Sequence, residues 1–139
     1  MSNATQTACP CGTGLFYSQC CELYHAGSAF PPTPEKLMRS RYSAYVLLLE
    51  TYLLQTWHPT TRPVNLELSH EAFTHPKKWL GLAVLNAQQQ SEKKGNVEFV
   101  AKYKVNGKAH KMHEISDFVF ENNQWFYVDG QFPNEKDHK

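Results

Sequence analysis

Val97-Glu-Phe-Val-Ala101-Lys-Tyr-Lys-Val105-Asn-Gly107 is the stretch that decides the fold. Val97, Phe99, Ala101, Tyr103 and Val105 alternate with Glu98, Lys102 and Lys104. A period of two lines apolar side chains along one face, as in a half-buried strand. Asn106-Gly107 supplies two residues that tolerate positive φ, the signature of a tight hairpin, so the chain should return through residues 109–121. Asn122-Asn123 marks a second turn before the fourth strand, Trp125-Phe-Tyr-Val128. Upstream, Trp79, Leu80, Leu82, Ala83, Val84 and Leu85 make residues 79–88 apolar on both faces, which reads as a central strand.

The first half carries helix signals. Thr33 is a candidate N-cap, Pro34 suits the first helical position, and Glu35 suits the positive end of the helix dipole. Leu37, Met38, Arg41, Tyr42, Tyr45, Val46, Leu48 and Leu49 then form a broad stripe at helical spacing. A second short helix is expected over about 51–56, ended by His58-Pro59, and a third over about 66–75, stopped by Pro76. Helices followed by a four-stranded antiparallel meander give an α+β order. Such a sheet should curl around the long helix and leave a pocket on its concave side.

The chain has 139 residues, enough for one domain or one small domain with an appendage. Apolar residues make up 41% and charged residues 19%, which excludes disorder, coiled coil and collagen. Fourteen basic and 13 acidic residues leave a formal charge of +1, so nucleic acid and anionic lipid are not expected partners. No apolar run approaches the ~20 residues of a membrane span. The first residues lack a charged and then apolar leader, so a cytoplasmic location is expected.

All four cysteines lie within the first 21 residues, as Cys9-Pro-Cys11-Gly-Thr-Gly14 and Cys20-Cys21. In a disulfide reading two bridges staple a loop, but adjacent cysteines fit bridge geometry poorly and the expected compartment is reducing. In a metal reading, two short-spaced pairs supply four soft sulfur ligands to one tetrahedral ion. Gly12 and Gly14 let the backbone turn, and Pro10 stiffens the first pair. The metal reading is favoured, with disulfides and free redox-active thiols as its alternatives. His25 is near enough in sequence to replace a cysteine, though a surface histidine beside the site is the plainer reading.

This segment resembles the SEC-C motif, a small zinc-binding module similar to one at the end of the SecA preprotein translocase. The resemblance implies zinc as cofactor and Cys9, Cys11, Cys20 and Cys21 as its ligands. Further blocks carry a wider likeness: Thr33-Pro-Glu-x-Leu37-Met-Arg-Ser-Arg41-Tyr-Ser-Ala-Tyr45, Tyr52-Leu-Leu-x-Thr56-Trp-His-Pro59, Trp79-Leu-Gly-Leu82, Val97-Glu-Phe-Val-Ala101 and Trp125-Phe-Tyr-Val-Asp-Gly130. Together they resemble the YchJ family, bacterial proteins with an SEC-C module ahead of a domain similar to nuclear transport factor 2. The resemblance implies a cone-shaped, cystatin-like α+β fold and no particular activity. It divides the chain into a zinc knuckle at 8–27, an α+β domain at 33–131 and a tail at 132–139. Relatives often end in a second SEC-C module, which this tail lacks, and often carry Glu-Arg-Ser-Arg-Phe on the third strand, where this chain has Glu114-Ile-Ser-Asp117-Phe118.

The remaining candidates would line a pocket. Arg39 and Arg41 lie about 200° apart around a helix, so one can enter the concavity while the other meets solvent or the knuckle. A guanidinium there suits an internal carboxylate such as Glu98 or Asp129, or an anionic ligand. Trp57 and His58 sit at a helix end, where a histidine near Tyr45, Glu98 or Asp129 could act as a base. Trp125 and Tyr127 share one strand face, as core or as the aromatic wall of a pocket that Tyr42 would also border. The sequence contains no nucleophile elbow, phosphate loop, dinucleotide fingerprint or metalloprotease motif. The expectation is therefore an adaptor whose knuckle meets a protein partner, with a small-molecule binder or enzyme using the pocket as the alternative.

Overall fold

The computed structural model describes residues 7–74 and 76–133, apart from the side chain of Ala72. Helices α1 (Cys21–His25), α2 (Pro34–Leu47), α3 (Glu50–Gln55) and α4 (Leu68–Thr74) precede strands β1 (Lys78–Gln89), β2 (Lys94–Val105), β3 (Lys108–Glu121) and β4 (Gln124–Gln131). The strands form one antiparallel sheet in the order β1-β2-β3-β4. Both expected turns are two-residue hairpins. Asn106 and Gly107 have φ of 53° and 77°, and Asn122 and Asn123 have 54° and 66°. Val105 pairs with Lys108, and Glu121 with Gln124. Left-handed dihedrals at both central residues match the strands' own twist, so each Asn-containing pair fixes a register.

The register places Val97 opposite Ser116, Phe99 opposite Glu114 and Ala101 opposite Met112 on the inner face. Helix α2 lies across that face, and Leu37, Met38, Tyr42, Val97, Phe99, Ala101, Phe118 and Trp125 share one buried cluster. Thr33 caps α2 by accepting from the Lys36 amide at 3.2 Å, with Pro34 at the first turn. The sheet changes register once between Asp117 and Phe118 and twice along β1, irregularities of the kind that bend strands.

The reading of residues 79–88 as a central strand is corrected. β1 is an edge strand, because a meander gives its first strand one neighbour. Trp79, Leu82 and Val84 pack on the core, while Leu85 is 55% exposed. The third helix is shorter than expected, its anticipated end at His75 lying outside the described residues. So does the tail beyond Pro133. Among the described residues no helix is long and apolar enough to cross a membrane.

Candidate functional site

The N-terminal segment folds into a knuckle. An isolated bridge joins Ala8 to Phe16, and Gly12 and Gly14 take φ of 85° and 89°, which lets the chain turn back on itself. The four cysteine sulfurs all lie within 4.8 Å of one another, and Cys11 and Cys20 are 3.6 Å apart. A tetrahedral ion with metal–sulfur bonds of ~2.3 Å requires sulfurs about 3.8 Å apart, so the set fits a thiophilic ion. No cysteine is in a disulfide. Crowding splits the thiols. Hydrogen bonds from Cys11 and then Cys21 hold Cys9 far below the ordinary thiol range. Contacts with Cys11 and then Cys9, together with burial, push Cys21 far above it. Four thiolates at this spacing repel one another, and a divalent cation removes that conflict.

The knuckle is docked onto α2. Cys9, Cys11 and Cys21 belong to the same buried cluster as Leu37, Met38 and Tyr42. Ser43, fully buried on α2, donates to the Cys21 sulfur at 3.4 Å and lies 3.6 Å from that of Cys9. Arg39 donates to the Cys11 carbonyl at 2.8 Å and to Glu35 at 2.9 Å. His25 is half-buried, not the surface histidine expected. Its ring nitrogens contact the Tyr17 hydroxyl at 2.7 Å and the Ser40 carbonyl at 2.8 Å, and burial lowers its pKa. Those two contacts occupy both ring nitrogens, which leaves neither for the sulfur cluster.

The second feature is a cavity of about 510 Å³ between α2 and the inner face of the sheet. Met38, Val46, Trp79, Phe99, Met112 and Phe118 form its apolar walls. Five sequence candidates line it: Arg41, Tyr42, Tyr45, Trp57 and Tyr127. Arg41 is only 5% exposed, and its Nη1 donates to the Leu53 carbonyl at 2.8 Å and to the Thr56 hydroxyl at 2.7 Å. Its guanidinium carbon lies 5.1 Å from the Trp57 ring centre and 4.5 Å from that of Tyr127. Among the described residues no carboxylate forms an ion pair with it.

The other five candidates lie elsewhere, each for a local reason. Arg39 faces the knuckle, half a helical turn away from Arg41. After the turn at Thr56 that ends α3, Trp57 forms a parallel bridge beside Tyr127 of β4, with the His58 amide donating to Tyr127 and the Tyr127 amide to Thr56. A bridged segment alternates its side chains, so Trp57 enters the cavity while His58 turns to Glu121 at 3.0 Å. Glu98 is on the outer face of β2, where its carboxylate meets His113 at 2.7 Å. Asp129 is exposed, opposite Asp117. Trp125 is buried beneath the linker and donates to the Pro32 carbonyl at 3.3 Å.

Glu114 and Ser116 also line the cavity, and sequence reasoning missed both. The signal was present, because Met112, Glu114, Ser116 and Phe118 alternate along β3 and put a carboxylate on the inner face. Glu114 Oε2 accepts from Ser116 at 2.8 Å and from Tyr127 at 3.2 Å. Its side chain covers Gly130, where a Cβ would overlap the carboxylate. Burial raises its pKa above the usual carboxylate value. Ile115 and Asp117, where the third strand departs from Glu-Arg-Ser-Arg-Phe, are not among the cavity-lining residues.

Known proteins share this architecture. A UPF0225 protein of Ralstonia nicotianae is 50% identical over 135 residues, covering 91% of this chain and 92% of its own length. One from Bordetella pertussis is 48% identical over 129 residues, covering 91% and 94%. The solution structure of an SEC-C motif containing protein from Rhodopseudomonas palustris superposes with a TM-score of 0.80 at 31% identity, covering 89% of this chain and 97% of that one. The crystal structure of another from Psychrobacter arcticus gives 0.78 at 30% identity, covering 92% and 84%. The family model described as YchJ, middle NTF2-like domain, matches residues 33–130. With its helices on a four-stranded antiparallel sheet and a four-cysteine cluster ahead of them, this chain belongs to the YchJ family of SEC-C motif proteins.

Proposed function

We propose that the chain is a small-molecule-binding protein whose cysteine knuckle holds a structural zinc ion. One observation carries the reading: Arg41, Tyr45, Trp57, Glu114, Ser116 and Tyr127 converge on a single apolar-walled cavity. Cavities of ~300–1,000 Å³ with a few convergent polar groups are the usual form of a ligand site. Cys9, Cys11, Cys20 and Cys21 would hold the zinc, and four thiolates leave no open position for a reacting group. The ion would supply a cross-link that clasps the knuckle to α2. Such a thiolate site belongs in the reducing cytoplasm.

The test is to titrate the isotope-labelled full chain with a fragment library and follow its amide and methyl signals. The expected result is a set of fragments whose shifts centre on Met38, Ala101, Met112 and Tyr127. A library with no member shifting these signals refutes the reading.

A protein-binding role for the knuckle is supported by a different observation, the exposure of Leu15, Phe16 and Leu23 around it. Exposed apolar side chains grouped on one small module suit a partner surface. Leu15→Ser with Phe16→Ser leaves the cysteines in place, and an unchanged set of captured partners would count against this reading.

A further inference from the structure

We propose that the ligand of this cavity is a small amphipathic carboxylate, its anionic head against Arg41 and Tyr45 and its apolar body between Trp79, Phe99, Met112 and Phe118. The inference rests on the cavity being a ligand site. It begins with a charge that has no ion-pair partner among the described residues. Arg41 is 5% exposed, and its Nη1 bonds go to a carbonyl and a hydroxyl, both neutral. Buried arginines are normally paired with a carboxylate, because an unpaired buried cation is costly. Glu114 shares the cavity but spends Oε2 on Ser116 and Tyr127 and forms no ion pair with Arg41.

The surroundings select the geometry of the missing partner. Trp57 and Tyr127 lie against the guanidinium as cation–π partners. The two rings stand at 86° to each other and offer the cation only π faces, whereas a carboxylate is the group that matches a guanidinium with two parallel hydrogen bonds. Tyr45, also a lining residue, is close enough for the Arg41 charge to act on its phenol, and it adds a hydroxyl to the same part of the cavity. Lys77 also lines the cavity, but its ammonium lies over the Trp79 and Tyr103 rings, and a phosphate would need more donors than Arg41 and Tyr45 supply. A cationic ligand would be repelled by Arg41, and a neutral apolar one would leave Arg41 unpaired. Burial also raises the pKa of Glu114, which weakens its competition as a charge on the sheet wall, and the other lining carboxylate, Glu71, is exposed on α4.

The experiment uses the full chain and four probes with one body: 2-naphthoic acid, its methyl ester, its carboxamide and 2-naphthylmethylamine. Affinity is read by calorimetry, and position by methyl shifts of Met38 and Met112. The acid is expected to bind at least ten-fold tighter than any of the other three. Arg41→Gln should abolish that preference, but it removes bonds to Leu53 and Thr56 and can unfold the chain. Glu114→Gln keeps the shape and removes the cavity's inner negative charge. At a pH high enough to ionise Glu114 in the parent chain, it should tighten the acid several-fold and leave the ester unchanged. An ester or carboxamide that binds as tightly as the acid overturns the inference and leaves the cavity reading standing. Acid binding weakened by Glu114→Gln overturns it as well. If none of the four binds, the inference falls, and the fragment titration decides separately whether the cavity is a ligand site.

Discussion

Gly130→Ala is the sharpest test of how the cavity is built. Gly130 has no positive φ, so its backbone accepts an L side chain, and only space opposes the change. The space is taken by Glu114. A Cβ at 130 would overlap Oε2 and lie 2.6 Å from Cδ and 2.9 Å from Cγ, so the whole side chain must move. Moving it breaks the bonds from Ser116 at 2.8 Å and Tyr127 at 3.2 Å. Hydrogen bonds to a charged group contribute about 1.5–3 kcal/mol each, and some is regained from water or a shifted partner. Replacing glycine by alanine returns about 0.4–1 kcal/mol by restricting the unfolded chain. The net loss should be about 2–3 kcal/mol, or a Tm lowered by roughly 8–12 °C. Urea unfolding by tryptophan fluorescence, on Gly130→Ala, Glu114→Ala and the double variant, completes a cycle. In the Glu114→Ala background the glycine substitution should cost nothing or stabilise slightly, a coupling of about 2–3 kcal/mol. Equal cost in both backgrounds would refute the argument, since the clash with Glu114 could not then be its source.

Three further outcomes are expected. Removing the proposed zinc with a chelator should raise amide deuterium exchange in the knuckle and also along Ser40–Ala44 of α2, because zinc sites in small modules contribute ~10–16 kcal/mol and the cysteine cluster shares its core with α2; protected α2 amides beside an exchanging knuckle would contradict the docking. Glu114 has its pKa raised chiefly by burial, so its contribution to stability is present below the ordinary value of 4.5 and is lost as pH rises through the folded value. Glu114→Gln should therefore flatten the stability curve just above pH 4.5, and a variant with an unchanged slope would place the titration elsewhere. Arg39→Ala removes the bond to the Cys11 carbonyl, so it should destabilise by about 1 kcal/mol and speed metal release several-fold, whereas Glu35→Gln, which touches only the partly exposed ion pair, should leave release unchanged.

Much of the fold was legible because its determinants are local. The alternation of Val97 to Val105, the turns at Asn106-Gly107 and Asn122-Asn123, and the Thr33-Pro34 helix start each depend on residues a few positions apart. The cysteine cluster was legible for the same reason, since the 11 residues between Cys9 and Cys21 confine the sulfurs once the glycines turn the chain. The cavity was half legible. Helical angle separates Arg39 from Arg41, but no local rule says which of them meets the sheet. Glu114 could have been placed inward by alternation, and His58 outward by the bridge of Trp57 to β4, had that bridge been anticipated.

The sequence by itself determined the elements, their order, the hairpin registers and the sulfur donor set. Each follows from dihedral preferences, side-chain periodicity or short loop closure, which act within a few residues. The tertiary structure alone decided that β1 lies at an edge, that the knuckle docks on Ser43 and Arg39, and that Arg41 meets Trp57, Tyr127 and the cavity shared with Glu114. Those contacts join residues 16 to 86 positions apart, and bringing them together depends on where the strand irregularities bend the sheet around α2. Packing sets that curvature by fitting every side chain at once, so no single stretch of the chain encodes it.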